Sequence, residues 1–420
     1  MKKHLPHYLS GFLLLAGILL LHRTELPAVE WLRYKAFDAY QQIQPRIPNP
    51  AAMPAEVAII DIDEAALKAH GQWPWPRTKL ANLVKVLAGY QVAVTGFDIV
   101  FAEEDRTSPR LIAEADTTLD ETTKAVLQAL PSHEESFAEA LRTARVVLGQ
   151  VGIFEPTPEN HLQKKIGFAM LSPDAENLIL PMLNRYQGLV ENRPILEDAA
   201  TGLGLFSTRP DSDGIIRRVA LVERLADGKT LRPSLALEML RVALGGQDDY
   251  LVKGFKDGRK GIESILVRTA NPKQNFEIPT DPQGRVFVHF AKYPTAKPPL
   301  YISAAEVLSS DPAVIQKMQR ALAGKLAIIG TSAVGLKDIR QTPISPVLPG
   351  VEVHAQVLET ILSGAHLTRP AEVVLIEIGI LLLGGMAMIV LIPRLNAIWT
   401  FLLSTSIAAG LVATAWHHYT

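Results

Sequence analysis

In this 420-residue sequence, carboxylates gather where apolar runs end. Glu56-Val57-Ala58-Ile59-Ile60 leads into Asp61-Ile62-Asp63-Glu64, Val92-Ala93-Val94-Thr95-Gly96-Phe97 into Asp98, and Leu326-Ala327-Ile328-Ile329-Gly330 into Thr331-Ser332. Runs this short that are apolar on both faces read as buried parallel strands. Open α/β sheets take ligands just outside the carboxyl ends of their strands. Brought to one rim, the three ends would gather Asp61, Asp63, Asp98 and Thr331, with Glu103, Asp105 and Asp338 on adjoining loops. Carboxylates so placed repel one another unless a positive charge neutralises them, so the set suits a cation or a cationic ligand. A metal is neither required nor excluded. The plainer alternative has the same carboxylates capping helices and pairing with Arg77 or Lys337.

Other motifs add to the candidate ligand site. Trp73-Pro74-Trp75-Pro76-Arg77 puts two indoles on a proline-stiffened path, to line a pocket through Trp75 and Arg77 or to form a rigid corner on the sheet. Asp211-Ser212-Asp213-Gly214 begins like a calcium loop but lacks the later ligands, and reads as a tight turn. Gly330 to Asp338 has the look of a phosphate loop without the Gly-Lys-Ser/Thr ending of a nucleotide-triphosphate loop. His354 falls on an apolar stripe with Val351, Leu358 and Ile361, which favours a hydrogen-bonded core histidine over a ligand. No Ser/His/Asp grouping, metal-protease helix or dinucleotide fingerprint is present, so no catalytic residue and no cofactor is expected.

The elements that must position these residues alternate between strand and helix. Strand 56–64, helix 78–88 and strand 92–98 make a crossover unit. After a polar insertion at 103–132 come helix 136–144 and strand 145–153. Strands at 202–207 and 215–223 precede a helix over 233–244, with Pro233 in its first turn. Strands at 264–269, 285–290 and 325–330, short helices at 303–308 and 313–322, and a helix over 350–362 complete the block. The expected fold is one large α/β domain with a mixed, mainly parallel central sheet and flanking helices, plus three transmembrane helices.

Composition narrows the function. The 42 Lys and Arg nearly balance the 43 Asp and Glu, which argues against a nucleic-acid partner. With no cysteine there is no disulfide framework or thiolate site. Apolar residues are segregated to the two ends. Residues 1–22 read as a cytoplasmic start and an uncleaved anchor, and 372–392 and 397–416 as two further spans, each near the 20 or so residues that cross a bilayer. Glu377 lies in the first of these, where it would reach the interface or face a neighbouring helix. Lys2, Lys3 and Arg394 place the amino terminus and the 393–396 hairpin in the cytoplasm. Residues 23–50, a juxtamembrane helix and a proline-rich connector, and the domain at 51–370 then lie outside it. The even number of later spans leaves Thr420 outside as well, so the expectation is a truncated receptor whose cytoplasmic output domain is absent from the chain.

Taken in order, these motifs resemble the type-two CHASE domain, a sensory module of bacterial membrane receptors. The resemblance rests on Phe37-Asp38, Asp63-Glu64 before Trp73-Pro74-Trp75-Pro76-Arg77, Gly96-Phe97-Asp98-Ile99-Val100-Phe101, Pro210 to Arg218, Pro233-Ser234-Leu235-Ala236, Gly330 to Asp338, Thr342-Pro343 and Pro349 to Ala355. It covers about Trp31 to Arg369; Phe37 stands where the family often has Tyr. It implies a periplasmic sensor on the inner membrane, coupled to a cytoplasmic adenylate or guanylate cyclase or a kinase, and it implies no particular ligand. The expectation is a homodimer that senses an unidentified small-molecule or envelope ligand through Asp61, Asp63, Trp75, Arg77, Asp98, Thr331, Asp338 and His354. The helix at 31–41 and the segment 364–372 would transmit the change. The competing readings are a freestanding membrane-anchored interaction protein and an envelope hydrolase using the acidic rim.

Overall fold

A computed structural model of the chain describes residues 5–23, 26–47, 56–157, 167–171, 174–246, 249–292, 301–335, 338–367 and 371–419. The topology-setting Lys2 and Lys3, the connector prolines 48, 50 and 54, and Lys337 lie outside the described residues. The chain forms two units, one of residues Arg46–His366 and one of Met1–Pro45 with Leu367–Thr420. In chain order the principal helices are α1 (Leu5–Arg23), α2 (Pro27–Ile43), α3 (Glu64–His70), α4 (Arg77–Gly89), α5 (His133–Arg142), α6 (Leu235–Ala243), α7 (Gly350–Leu362), α8 (Ala371–Leu391) and α9 (Ala397–Tyr419).

The larger unit is built on a seven-stranded sheet of β1 (Val57–Ile62), β2 (Val94–Phe97), β3 (Val146–Ile153), β4 (Gly188–Val190), β5 (Gly202–Leu205), β6 (Tyr301–Ser303) and β7 (Leu326–Thr331). The order is β6-β1-β7-β2-β3, and β3 then pairs with both β5 and β4. Every pairing is parallel except β3 with β4. The sheet is therefore mixed and mainly parallel, as the apolar runs predict. β1 and β2 belong to one crossover, but β7 is inserted between them.

All six residues of β1 are buried because each face of the sheet has its own core. Val57 and Ile59 pack with α6 and α7; Ala58, Ile60 and Ile62 pack with α3, α4 and α5. Side chains of a strand alternate between faces, so two covered faces erase the polar alternation from the sequence. Local signals set the helix starts. Asp63 Oδ1 accepts the Ala66 N–H to cap α3, Ser132 and Glu135 form a reciprocal box on α5, and Ser234 Oγ accepts the Leu237 N–H on α6. Pro233 is thus not in the first turn of α6; it ends the strand Leu231–Pro233, and Ser234 is the cap.

Two further departures lie outside the central sheet. The insertion at 103–132 contains two short helices, Pro109–Ala115 and Glu121–Ala129. A four-stranded second sheet, in the order Phe276–Pro279, Ile262–Val267, Asp249–Gly254, Gly167–Met170, takes in three strands that the sequence patterns did not reveal. Its residues Tyr250, Val252, Ile265 and Ile278 join the α6/α7 core, so both sheets share one interior.

In the other unit, α8 and α9 carry segments long and apolar enough to cross a membrane, Val374–Arg394 and Ala397–Thr414. The pair α1 and α2, bent by 71°, makes a third candidate. Small residues allow close packing here: a Cβ on Gly11 would lie 2.8 Å from Ile389 Cγ1, and one on Gly385 would lie 2.5 Å from Leu15 Cδ1. Glu377 faces a neighbouring helix, with its Oε2 2.9 Å from His22 Nε2 of α1.

Candidate functional site at the strand-end rim

Because β1, β7 and β2 are adjacent and parallel, their carboxyl ends form one rim. Asp61 pairs with Gly330 and Ile62 with Thr331, while the Asp98 N–H donates to the Ile329 carbonyl at 2.9 Å. The three ends that the sequence singles out do come together, but the pleat divides their side chains between the two faces.

On the α7 face, Gly330 leaves room for the first turn of α7, since a Cβ there would sit 2.6 Å from Val351 Cβ. One turn later His354 is 2% exposed. Its Nε2 is 2.9 Å from the Phe206 carbonyl oxygen and 3.9 Å from Asp98 Oδ1. A carbonyl only accepts, so the proton is assigned to Nε2 and Nδ1 keeps a lone pair. Nδ1 is buried without a hydrogen-bond donor. Burial pulls the imidazole down to about 4, with the Arg340 cation adding to the effect. Burial also pushes the Asp98 carboxyl well above the usual range; the Asp338 carboxylate adds to this, and Arg340 opposes it. Asp338 is held by Arg340 at 2.8 Å. Asp61 Oδ2 accepts the Ser332 hydroxyl at 2.6 Å. The α7 side therefore gathers Asp61, Asp98, Asp338, His354 and Arg340, and burial disfavours the charged forms of both Asp98 and His354.

The opposite face is a structural corner. Asp63 Oδ1, besides capping α3, accepts the Ser303 hydroxyl at 2.7 Å. Trp75 is 1% exposed and donates through Nε1 to the Gly71 carbonyl at 2.8 Å; the Trp73–Pro74 peptide beside it is cis. Arg77 lays its guanidinium 4.6 Å from the Phe101 ring centroid, and its backbone N–H donates to Asp105 Oδ2 at 2.7 Å. Burial would raise the Asp105 carboxyl, but hydrogen bonds from Thr107, the Arg77 backbone and His133 outweigh it and hold it below its usual value. Trp75 and Arg77 are thus separated from Asp98 and His354 by the sheet.

The remaining motifs resolve into architecture. Asp211 and Asp213 are taken up by Arg217 and Arg218, and the turn closes with the Gly214 N–H on the Asp211 carbonyl at 2.9 Å. Among the described residues, no group of three or more His, Asp or Glu is placed to hold a metal ion.

Sequence reasoning missed the other half of α7. Arg46, at the start of the larger unit, is buried with Nη2 2.6 Å from Glu359 Oε2 and 2.7 Å from Gln356 Oε1, and its Nε donates to the His289 carbonyl at 3.0 Å. The available signal was a glutamine and a glutamate, Gln356 and Glu359, in the second half of this largely buried helix. One helix therefore meets the rim at its first turns, and at its last turns it grips the residue where the chain arrives from α2.

The chain thus presents a mainly parallel α/β unit with a polar strand-end rim, preceded and followed in sequence by candidate membrane spans. The chain belongs to the CHASE2 domain family, whose family model matches residues 12–392. Members of this family are extracytoplasmic sensor domains of receptors associated with cyclases and kinases, so this is an inner-membrane protein whose sensor is flanked by transmembrane helices. No curated protein and no solved structure matches the chain.

Proposed function

We propose that this sensor binds a small-molecule or envelope ligand at the α7 side of the rim, and that α7 carries the response to the membrane helices of a homodimeric receptor with a cyclase output. The observation that carries the reading is the buried His354 Nδ1, an acceptor with no donor beside Asp98, on the same helix that holds Arg46. Such an acceptor is costly to bury and is satisfied by a ligand N–H or O–H. Asp61 and Asp338 would complete the contact shell, whereas Thr331, which pairs with Ile62 and alternates with Gly330, belongs to the other face. Trp75 and Arg77 would support the rim from that face, and Asp63 through its cap on α3.

A ligand shifts a sensor only through unequal affinity for two states. The chain leads from Arg46 back into α2 and from α7 forward through 364–372 into α8, so a tilt of α7 acts on both ends at once. Hydrogen exchange of the full chain in detergent, against a panel of metabolites and metal salts, tests this. A true ligand slows exchange at 98–101 and 350–355, and loses that effect in Asp98→Asn and His354→Gln. Unchanged protection in both variants rejects the site.

A further inference from the structure

The outer edge of the sheet carries a second buried polar centre, on the face away from α7. Gln150 of β3 is fully buried; its Nε2 donates to Glu197 Oε1 at 2.8 Å, while its Oε1 has no donor. Glu197 Oε1 also accepts the Asn192 backbone N–H at 3.0 Å, which fixes it as an acceptor already in use. Next in the chain to Asn192, Glu191 contributes a further buried oxygen, Oε1, with no donor. Arg232 is buried within the field of Glu197, Glu191 and Glu238. Glu238 in turn is paired with Arg241 at 2.6 Å.

Two carboxylates, Glu191 and Glu197, thus act on the one guanidinium of Arg232, and Glu191 Oε1 and Gln150 Oε1 are acceptors that lack donors. An unpaired charge away from water is costly unless something neutralises it. The group that answers both deficits brings one positive charge and several N–H donors, which is what a primary ammonium offers. A bare metal ion fits less well, because no metal-holding group of three His, Asp or Glu exists among the described residues. Glu191 is the partly exposed member, and Gln150 is fully buried.

We propose that Gln150, Glu191, Glu197 and Arg232 form a second binding site, separate from the rim, which takes its ligand by a primary ammonium group. Burial, with the Glu197 carboxylate beside it, raises the Glu191 carboxyl to about 7, and Arg232 opposes the shift. Glu197 and Arg232 are the charged groups that act on Glu191. Glu191 is therefore charged and able to hold an ammonium above neutrality, and protonated below it.

The test is hydrogen exchange of the full chain in detergent with methylammonium chloride, using tetramethylammonium and sodium chloride at equal ionic strength as controls. At about pH 8 methylammonium is expected to slow exchange at 188–199 saturably, about tenfold when its concentration is about ten times Kd. The effect should shrink toward about pH 6 as Glu191 takes up a proton. It should be lost in Glu191→Gln, an isosteric change at a partly exposed residue, and kept in His354→Gln. Equal slowing by all three salts, no slowing by methylammonium, or full retention in Glu191→Gln each overturns the proposal.

Discussion

Arg46 and Glu359 form an ion pair at 2.6 Å in which both side chains are 8% exposed. It fastens the start of the larger unit to the last turns of α7. Removing one partner of a buried pair leaves the other charge stranded, which typically costs about 3–5 kcal/mol. Arg46→Ala is therefore expected to lower unfolding free energy in urea by that order. The double change Arg46→Met with Glu359→Leu should recover most of the loss, because no charge is then left unpaired.

His354 sets the acid limit of stability. Its pKa in the folded chain is about 4, against an ordinary 6.5. A depressed value means that the unfolded chain binds the proton more readily. The stabilisation is present above about pH 6.5 and is lost as pH falls toward 4, amounting to about 3 kcal/mol. His354→Gln keeps an N–H donor for the Phe206 carbonyl without a titrating group. Urea midpoints measured across this range should fall for the wild type and stay flatter for the variant.

Glu223 acts in the opposite sense. Burial raises its carboxyl from 4.5 to about 7, against the pull of Arg209. A raised value stabilises the fold at low pH, and that contribution fades as pH rises from 4.5 through about 7, by about 3 kcal/mol. Glu223→Gln should therefore gain stability relative to wild type between about pH 5 and pH 8 in thermal unfolding, with little difference at the acid end.

Gly330 is required by a helix. Its Cβ would lie 2.6 Å from Val351 Cβ, a branch point that cannot swing aside. Overpacking of this kind costs about 1–3 kcal/mol. Gly330→Ala should lower stability by that order and speed amide exchange at 351–355, whereas Gly335→Ser, at an exposed turn, should leave exchange at 351–355 unchanged.

Much of this fold was legible in the sequence, and the reasons it was or was not are physical. β1, β2 and β7 were readable because strands covered on both faces become continuous apolar runs, and α7 because Gly350–Leu362 keeps a helical stripe. Of the second sheet only the strand Ile262–Val267 was readable. Its strand Asp249–Gly254 alternates weakly, and Gly167–Met170 is too short to show a period. At the site, sequence placed Asp61, Asp98 and Thr331 on one rim correctly. It could not tell which face each side chain would take, so Trp75 and Arg77 were grouped with Asp98 although the sheet lies between them. Arg340 and Arg46 escaped notice because each acts through a partner far away in the chain, and only the folded topology brings such pairs together.

The central claim is that α7 makes the rim and the Arg46 clamp one mechanical unit. A double-mutant cycle on unfolding free energy, with Asp98→Asn at the rim and Glu359→Gln at the clamp in the full chain, tests it most directly. Independent, well-separated sites add to within about 0.5 kcal/mol. The account predicts a coupling of about 1 kcal/mol or more, since either change loosens the helix on which the other depends. Additivity within about 0.5 kcal/mol would contradict it.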